Sequence, residues 1–204
     1  MSFYKLAVNK LRVGILSVQG DFEAHADVLE RLNVASVFVT HPKHLSGIQG
    51  LILPGGESTA MLKFLLEEGF IEAIKEFALA GRCLYGTCAG AILLADEVVN
   101  PSQQSLHLID ATVERNAFGR QIASRISEGI CFDKPMEMVF IRAPRIVRLG
   151  KKATAFAYYE GQPVGVTQDR YMMTTFHPEL TQDVSVHELF VELCRKSVAE
   201  YPPS

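Results

Sequence analysis

Little in this sequence serves for stapling, for crossing a membrane or for holding a polyanion. Cysteine is scarce: four residues among 204, at 83, 88, 131 and 194, with no C-x-x-C spacing. That is too few for a disulfide scaffold of this size and gives no metal-ligand pattern. No apolar run approaches 18 residues, and Met1 to Arg12 has no apolar core of signal-peptide length, although it carries Lys5, Lys10 and Arg12. A basic stripe is missing as well, since the net charge is −3 and the six histidines are scattered, so neither nucleic acid nor an anionic membrane surface is indicated as a partner. Repeats and low-complexity segments are lacking. These absences leave small-molecule chemistry in the cytoplasm, without a metal or cofactor. At 48% hydrophobic content the chain suffices for one sizeable core. A single domain over 1–204 is expected, with an N-terminal extension at 1–11 and a C-terminal tail at 197–204 that frays from Tyr201.

Apolar runs and helical stripes alternate through the first half. Arg12–Val18, Val34–Val39, Ile48–Leu53 and Arg82–Tyr85 are runs of buried-strand type. Between them, helices are expected at Phe22–Leu32 with Asp21 as cap and at Thr59–Leu66 with Ser58 as cap. Phe70, Ile71, Ile74, Phe77 and Ala78 stripe a further helix, which Gly81 closes with a left-handed cap. Beyond Asn100 the pattern becomes short β-type runs at Leu106–Arg115, Gln121–Ser127, Met136–Ile141, Ala153–Tyr158, Gln162–Gln168 and Tyr171–Phe176. A last helix, capped by Asp183, carries Val186, Leu189, Phe190, Leu193 and Cys194 on one face. The fold class is α/β: three layers, a mostly parallel central sheet between helices, and antiparallel additions.

Two short motifs carry the chemistry. Gly86-Thr87-Cys88-Ala89-Gly90 is a G-x-C-x-G elbow, a tight strand-to-helix turn that presents a reactive side chain above a sheet. Ala89–Leu94 is the expected helix after it, whose dipole and free N–H groups favour the thiolate of Cys88. His177-Pro178-Glu179 supplies a base and a carboxylate two residues apart, which an extended segment puts on one face. Together they compose a triad for acyl transfer: Cys88 attacks, His177 moves the proton, Glu179 orients the ring. Candidate oxyanion donors are the N–H of Ala89 and the Gly55-Gly56 loop, each worth roughly 3–4 kcal/mol to the transition state. Cys83 and Cys194 read as small buried hydrophobes, and His25, His41, His44, His107 and His187 as solvated or packed.

With these motifs in place, the chain resembles the class I, or triad, glutamine amidotransferases. Within them it is similar to the glutaminase subunits of pyridoxal 5′-phosphate synthases. The resemblance rests on Val18-Gln19-Gly20-Asp21-Phe22, Leu53-Pro54-Gly55-Gly56-Glu57-Ser58-Thr59, Arg115-Asn116-Ala117-Phe118-Gly119-Arg120-Gln121, Phe140-Ile141-Arg142-Ala143-Pro144 and Phe176-His177-Pro178-Glu179-Leu180, and covers about 12–196. It implies that L-glutamine is held by the Gly56-Glu57-Ser58 loop, by Arg115 and by the Ile141-Arg142 pair. A zwitterion needs a cation for its carboxylate, and arginine's planar fork suits that task. It also implies a partner: a separate (βα)8-barrel synthase subunit that receives the ammonia, in a complex of twelve synthase and twelve glutaminase subunits. Two alternatives stay open here, a glutaminase serving another ammonia acceptor and a catalytically silent regulatory subunit of the same fold. The segments before Arg12 and from Asn100 to Leu106 depart from the family pattern.

Overall fold

The computed structural model describes residues 11–116 and 124–201. The first half alternates as its hydrophobic pattern demands: β1 (Arg12–Leu16), α1 (Phe22–Arg31), β2 (Ala35–Val39), β3 (Gly50–Leu53), α2 (Ser58–Glu67), α3 (Phe70–Leu79), β4 (Cys83–Thr87) and α4 (Ala89–Leu94). The second half is mainly strand: β5 (Ala95–Val99), β6 (Ile109–Glu114), β7 (Ser124–Cys131), β8 (Lys134–Ile141), β9 (Arg145–Leu149), β10 (Thr154–Tyr159), β11 (Gln162–Gln168) and β12 (Tyr171–Thr174), closed by α5 (Ser185–Glu200). The expected strand residues Gln121 to Ala123 lie outside the described residues, as do Ala117 to Gln121 of the arginine segment and residues 1–10 of the extension.

A nine-stranded sheet runs β2-β1-β3-β4-β12-β11-β10-β7-β8. Its first five strands are mutually parallel, and from β12 onward every pairing is antiparallel. Side-chain alternation sends successive residues of each parallel strand to opposite faces. Leu51, Leu53, Leu84 and Met173 therefore join a core with α2, α3 and α4, while Ile52, Tyr85 and Met172 join the opposite core with α1 and α5. Both faces are covered, which is why these strands are apolar throughout.

A second, three-stranded sheet, β5-β6-β9, packs on the first core and was not expected. It was hard to read because β5 interrupts its buried positions with Asp96 and Glu97, and β9 exposes Arg145, Val147 and Arg148. Three N-terminal caps also differ from expectation. Asp21 makes no side-chain cap bond, and α2 is capped by Glu57, whose carboxylate accepts from the N–H of Thr59 at 3.0 Å and of Ala60 at 2.7 Å. Ser58 has already entered the helix, and its hydroxyl donates to Gln103 instead. At α5 the cap position falls to Val184, and Asp183, one residue earlier, still accepts from the Ser185 N–H at 2.8 Å.

Gly81 follows α3 with φ +79°, the left-handed closure expected of it. The turn after α3 also meets the end of α5. Ser197 donates its hydroxyl to the Gly81 carbonyl, Arg82 donates to the Tyr201 carbonyl at 3.2 Å, and the Arg170 guanidinium lies 4.7 Å over the Tyr201 ring. The helix thus runs well past residue 197, and Tyr201 is held where a frayed end was expected. No helix among the described residues is long and apolar enough to cross a membrane.

Candidate active site

Three adjacent parallel strands, β3, β4 and β12, deliver the site. In parallel strands all C-terminal ends lie along one edge, and ligands of open α/β sheets gather outside that edge. Leu53 is level with Gly86 and Thr174 with Thr87, so Gly55, Cys88 and His177 leave the sheet side by side.

Cys88 sits at φ 49°, ψ −100°, a conformation that L residues rarely adopt. Its N–H donates to the Thr174 carbonyl at 2.9 Å and its own carbonyl accepts from Ile92, so both neighbouring elements hold the turn. The flanking glycines are required by close approach. A Cβ on Gly86 would fall 2.4 Å from the Gly90 carbonyl, and one on Gly90 would fall 2.0 Å from the Leu53 oxygen. The thiol is buried, 6% of the residue being exposed, and donates toward the Ile141 carbonyl at 3.7 Å.

His177 is fixed by its N–H to the Val139 carbonyl at 2.8 Å. Its Nδ1 is 2.7 Å from Glu179 Oε1, and its buried Nε2 has no hydrogen-bond partner among the described residues. Burial works to lower the histidine's pKa, but the interactions with Cys88 and Glu179 outweigh it and raise the group to about 10. Glu179 is buried too. Burial opposes its ionisation, yet His25 and the hydrogen bond to His177 hold it at about 2. A buried carboxylate facing a ring N–H is the arrangement that stabilises an imidazolium.

Gly55 lies against His177, since a Cβ there would be 2.4 Å from His177 Cε1. Gly56, at φ +142°, borders Gln19, whose amide donates to the Glu57 carbonyl at 2.7 Å. Arg115 donates to the Thr59 hydroxyl at 2.7 Å and stands 3.6 Å from Glu57, a cation and an anion side by side. Ile141 ends β8 beside the thiol, and Arg142 follows it exposed and at φ 44°. Cys88, His177, Glu179, Gly55 and Ile141 therefore converge. The Ser58 hydroxyl is engaged elsewhere.

Behind the triad lies a group that motif reading missed. His25 Nε2 is 3.5 Å from Glu179 Oε1 and 3.3 Å from the Thr87 hydroxyl, and its Nδ1 is 2.9 Å from His187 Nε2; both histidines are fully buried. The available signal was periodicity. His25 stands on the stripe of Val28 and Leu29, and His187 on that of Val191 and Cys194.

These histidines give stability an acid dependence. Burial lowers His25, and burial together with His25 lowers His187 to about 3, whereas an unfolded chain protonates both near about 6.5. Below that pH the unfolded state binds more protons, so stability falls on acidification, by up to about 1.4 kcal/mol per pH unit for each histidine. His177 has the opposite sign, its contribution being complete below about 6.5 and lost as pH rises through about 10. That of Glu179 is present above about 4.5 and lost as pH falls through about 2. Among these groups stability peaks near neutrality. Urea midpoints at pH 5 and 6.5 should differ less in His187→Leu than in the parent; equal differences would place the acid sensitivity elsewhere.

The profile of the SNO glutamine amidotransferase family matches residues 15–196. The pyridoxal 5′-phosphate synthase subunit PdxT of Solibacter usitatus is 48% identical over 188 residues, covering 88% of this chain and 97% of that protein. PdxT of Thermotoga neapolitana is 43% identical, covering 91% and 100%. A crystal structure of a glutamine amidotransferase superposes with a TM-score of 0.84 at 42% identity, covering 90% of this chain and 98% of that one.

Proposed function

The chain belongs to the SNO glutamine amidotransferase family, and from that premise we propose how its residues divide the work of glutamine hydrolysis. The protein is a glutamine amidohydrolase, the glutaminase subunit of pyridoxal 5′-phosphate synthase, and supplies ammonia for vitamin B6 biosynthesis. Its substrate is glutamine and its partner a synthase subunit. We assign Cys88 as nucleophile, His177 as base and acid, and Glu179 as the carboxylate that orients the ring.

The observation that supports this most is that Cys88 and His177 leave adjacent parallel strands side by side, with His177 Nδ1 2.7 Å from Glu179 Oε1 and its buried Nε2 left without a hydrogen-bond partner among the described residues. His177 takes the thiol proton, and sulfur attacks the side-chain amide carbon of glutamine. The oxygen turns anionic against N–H groups of Ala89 and the Gly55-Gly56 peptide. His177 then protonates the amide nitrogen, the C–N bond breaks and ammonia leaves a thioester. Water, deprotonated by the same imidazole, cleaves the thioester and releases glutamate. The Gly56-Glu57-Ser58 loop, Arg115, Ile141 and Arg142 bind the substrate. Adjacent opposite charges at Arg115 and Glu57 suit a zwitterion, and Ser58 would contribute through its backbone.

The chain acts as one domain in the cytoplasm, twelve copies joining twelve synthase subunits, a count that light scattering of the mixed subunits checks. The roles within the triad are tested by substitution. His177→Asn removes the group that moves the proton, whereas Glu179→Gln removes only its orientation, so turnover should fall further in the first variant by about tenfold or more. Equal or reversed losses would show the two roles to be misassigned.

A further inference from the structure

Three elements outside the triad meet at His25, which stands 3.5 Å from Glu179. α1 carries His25, α5 carries His187, and β4 ends in Thr87, the residue before the nucleophile. Resting on the triad assignment above, we propose that His25 is a positioning residue: its Nε2–H holds the Glu179 carboxylate in place for His177, and His187 sets the tautomer that makes this possible.

Proton accounting fixes the direction. Suppose first that His25 carries its proton on Nδ1 and donates to His187 Nε2. His187 Nδ1–H would then be a buried donor, and Nδ1 has no partner; the lone pair of His25 Nε2 would also face a carboxylate oxygen at 3.5 Å. Both features are costly. With the proton on Nε2, His187 Nε2–H donates to His25 Nδ1 at 2.9 Å, and His25 Nε2–H donates to Thr87 Oγ1 at 3.3 Å while facing Glu179 Oε1 at 3.5 Å. Only an acceptor nitrogen of His187 is then left unpaired.

The need for such a group is visible at Glu179. Its Oε2 has no hydrogen-bond partner, and both histidines address Oε1. Without His25 the buried side chain would keep a single ring donor and could swing off His177. Tyr85 packs edge-on against both inner rings, at 6.3 and 5.7 Å between centroids, and limits their rotation. Burial keeps both from taking a second proton. His25 therefore offers an N–H that, with His177, favours the ionised carboxylate of Glu179. Because the same N–H reaches Thr87, it also ties the carboxylate to the strand that presents Cys88.

The test compares His25→Asn, His25→Gln and the parent chain in glutaminase assays with the synthase subunit present. Asparagine is too short to reach Glu179, whereas glutamine places an amide N–H where Nε2–H lies. His25→Asn should lower kcat about tenfold or more with KM within about twofold, since small misplacements of a catalytic group cost up to about 100-fold. His25→Gln should recover most of it. In ring-15N-labelled parent protein, NMR should show His25 in the Nε2–H tautomer. Should His25→Asn fail to fold, His187→Leu replaces it, with a smaller loss confined to kcat. An unchanged kcat, equal losses in the Asn and Gln variants, or an Nδ1–H tautomer would overturn the proposal. Cys88→Ala separates it from its premise: if that variant is inactive while His25→Asn is normal, the positioning role alone fails.

Discussion

Cys88→Ala should abolish glutamine hydrolysis, lowering turnover by at least about 1,000-fold, because deleting the nucleophile of a triad leaves only what binding and oxyanion donors supply. The fold should survive. The elbow is held through backbone groups, Cys88 N–H to Thr174 and its carbonyl to Ile92, and none of these bonds involves sulfur. Alanine inherits the same φ of 49°, so backbone strain does not change with the substitution. Glutamate release together with a melting curve checks both halves. Retention of more than a few per cent of activity would refute the nucleophile assignment.

Gly55→Ala should nearly match it through a different route. Gly55 does not have a positive φ, so alanine meets no intrinsic backbone penalty there. Its Cβ would lie 2.4 Å from His177 Cε1, a contact that requires the ring or the loop to retreat by about 1 Å. Displacement of a catalytic group on that scale costs about 100-fold. The loop's N–H toward the developing oxyanion would be disturbed by the same shift. A kcat drop of about 100-fold or more, with a melting temperature near that of the parent, is the expected result. A kcat within threefold of the parent would mean that the glycine loop and the base are mechanically independent.

The triad was legible in the sequence because each of its parts is a local motif. A glycine on either side of Cys88 and a carboxylate two residues beyond His177 are short-range patterns, and buried parallel strands announce themselves as apolar runs. The caps show where local rules stop. Ser58 suited the cap position, but Glu57 reaches two free N–H groups with one carboxylate and takes it. Strands β5 and β9 lack the alternation that marks a half-buried strand: β5 buries Ala95 and Val98 around exposed Asp96 and Glu97, and β9 buries only Ile146.

By itself the sequence determined the order of strands and helices in the first half, the residues proposed as nucleophile, base and orienting carboxylate, and the family to which the chain belongs. Tertiary structure alone decided what surrounds them. Residues 25, 87, 179 and 187 are distant in sequence and share no motif, so only the packing of α1 and α5 on β4 brings their polar atoms together. Gly55 and His177 likewise meet because parallel strands end on a common edge. A pattern records the local periodicity of one element. Contacts between elements depend on register and packing, which emerge when the sheet is assembled.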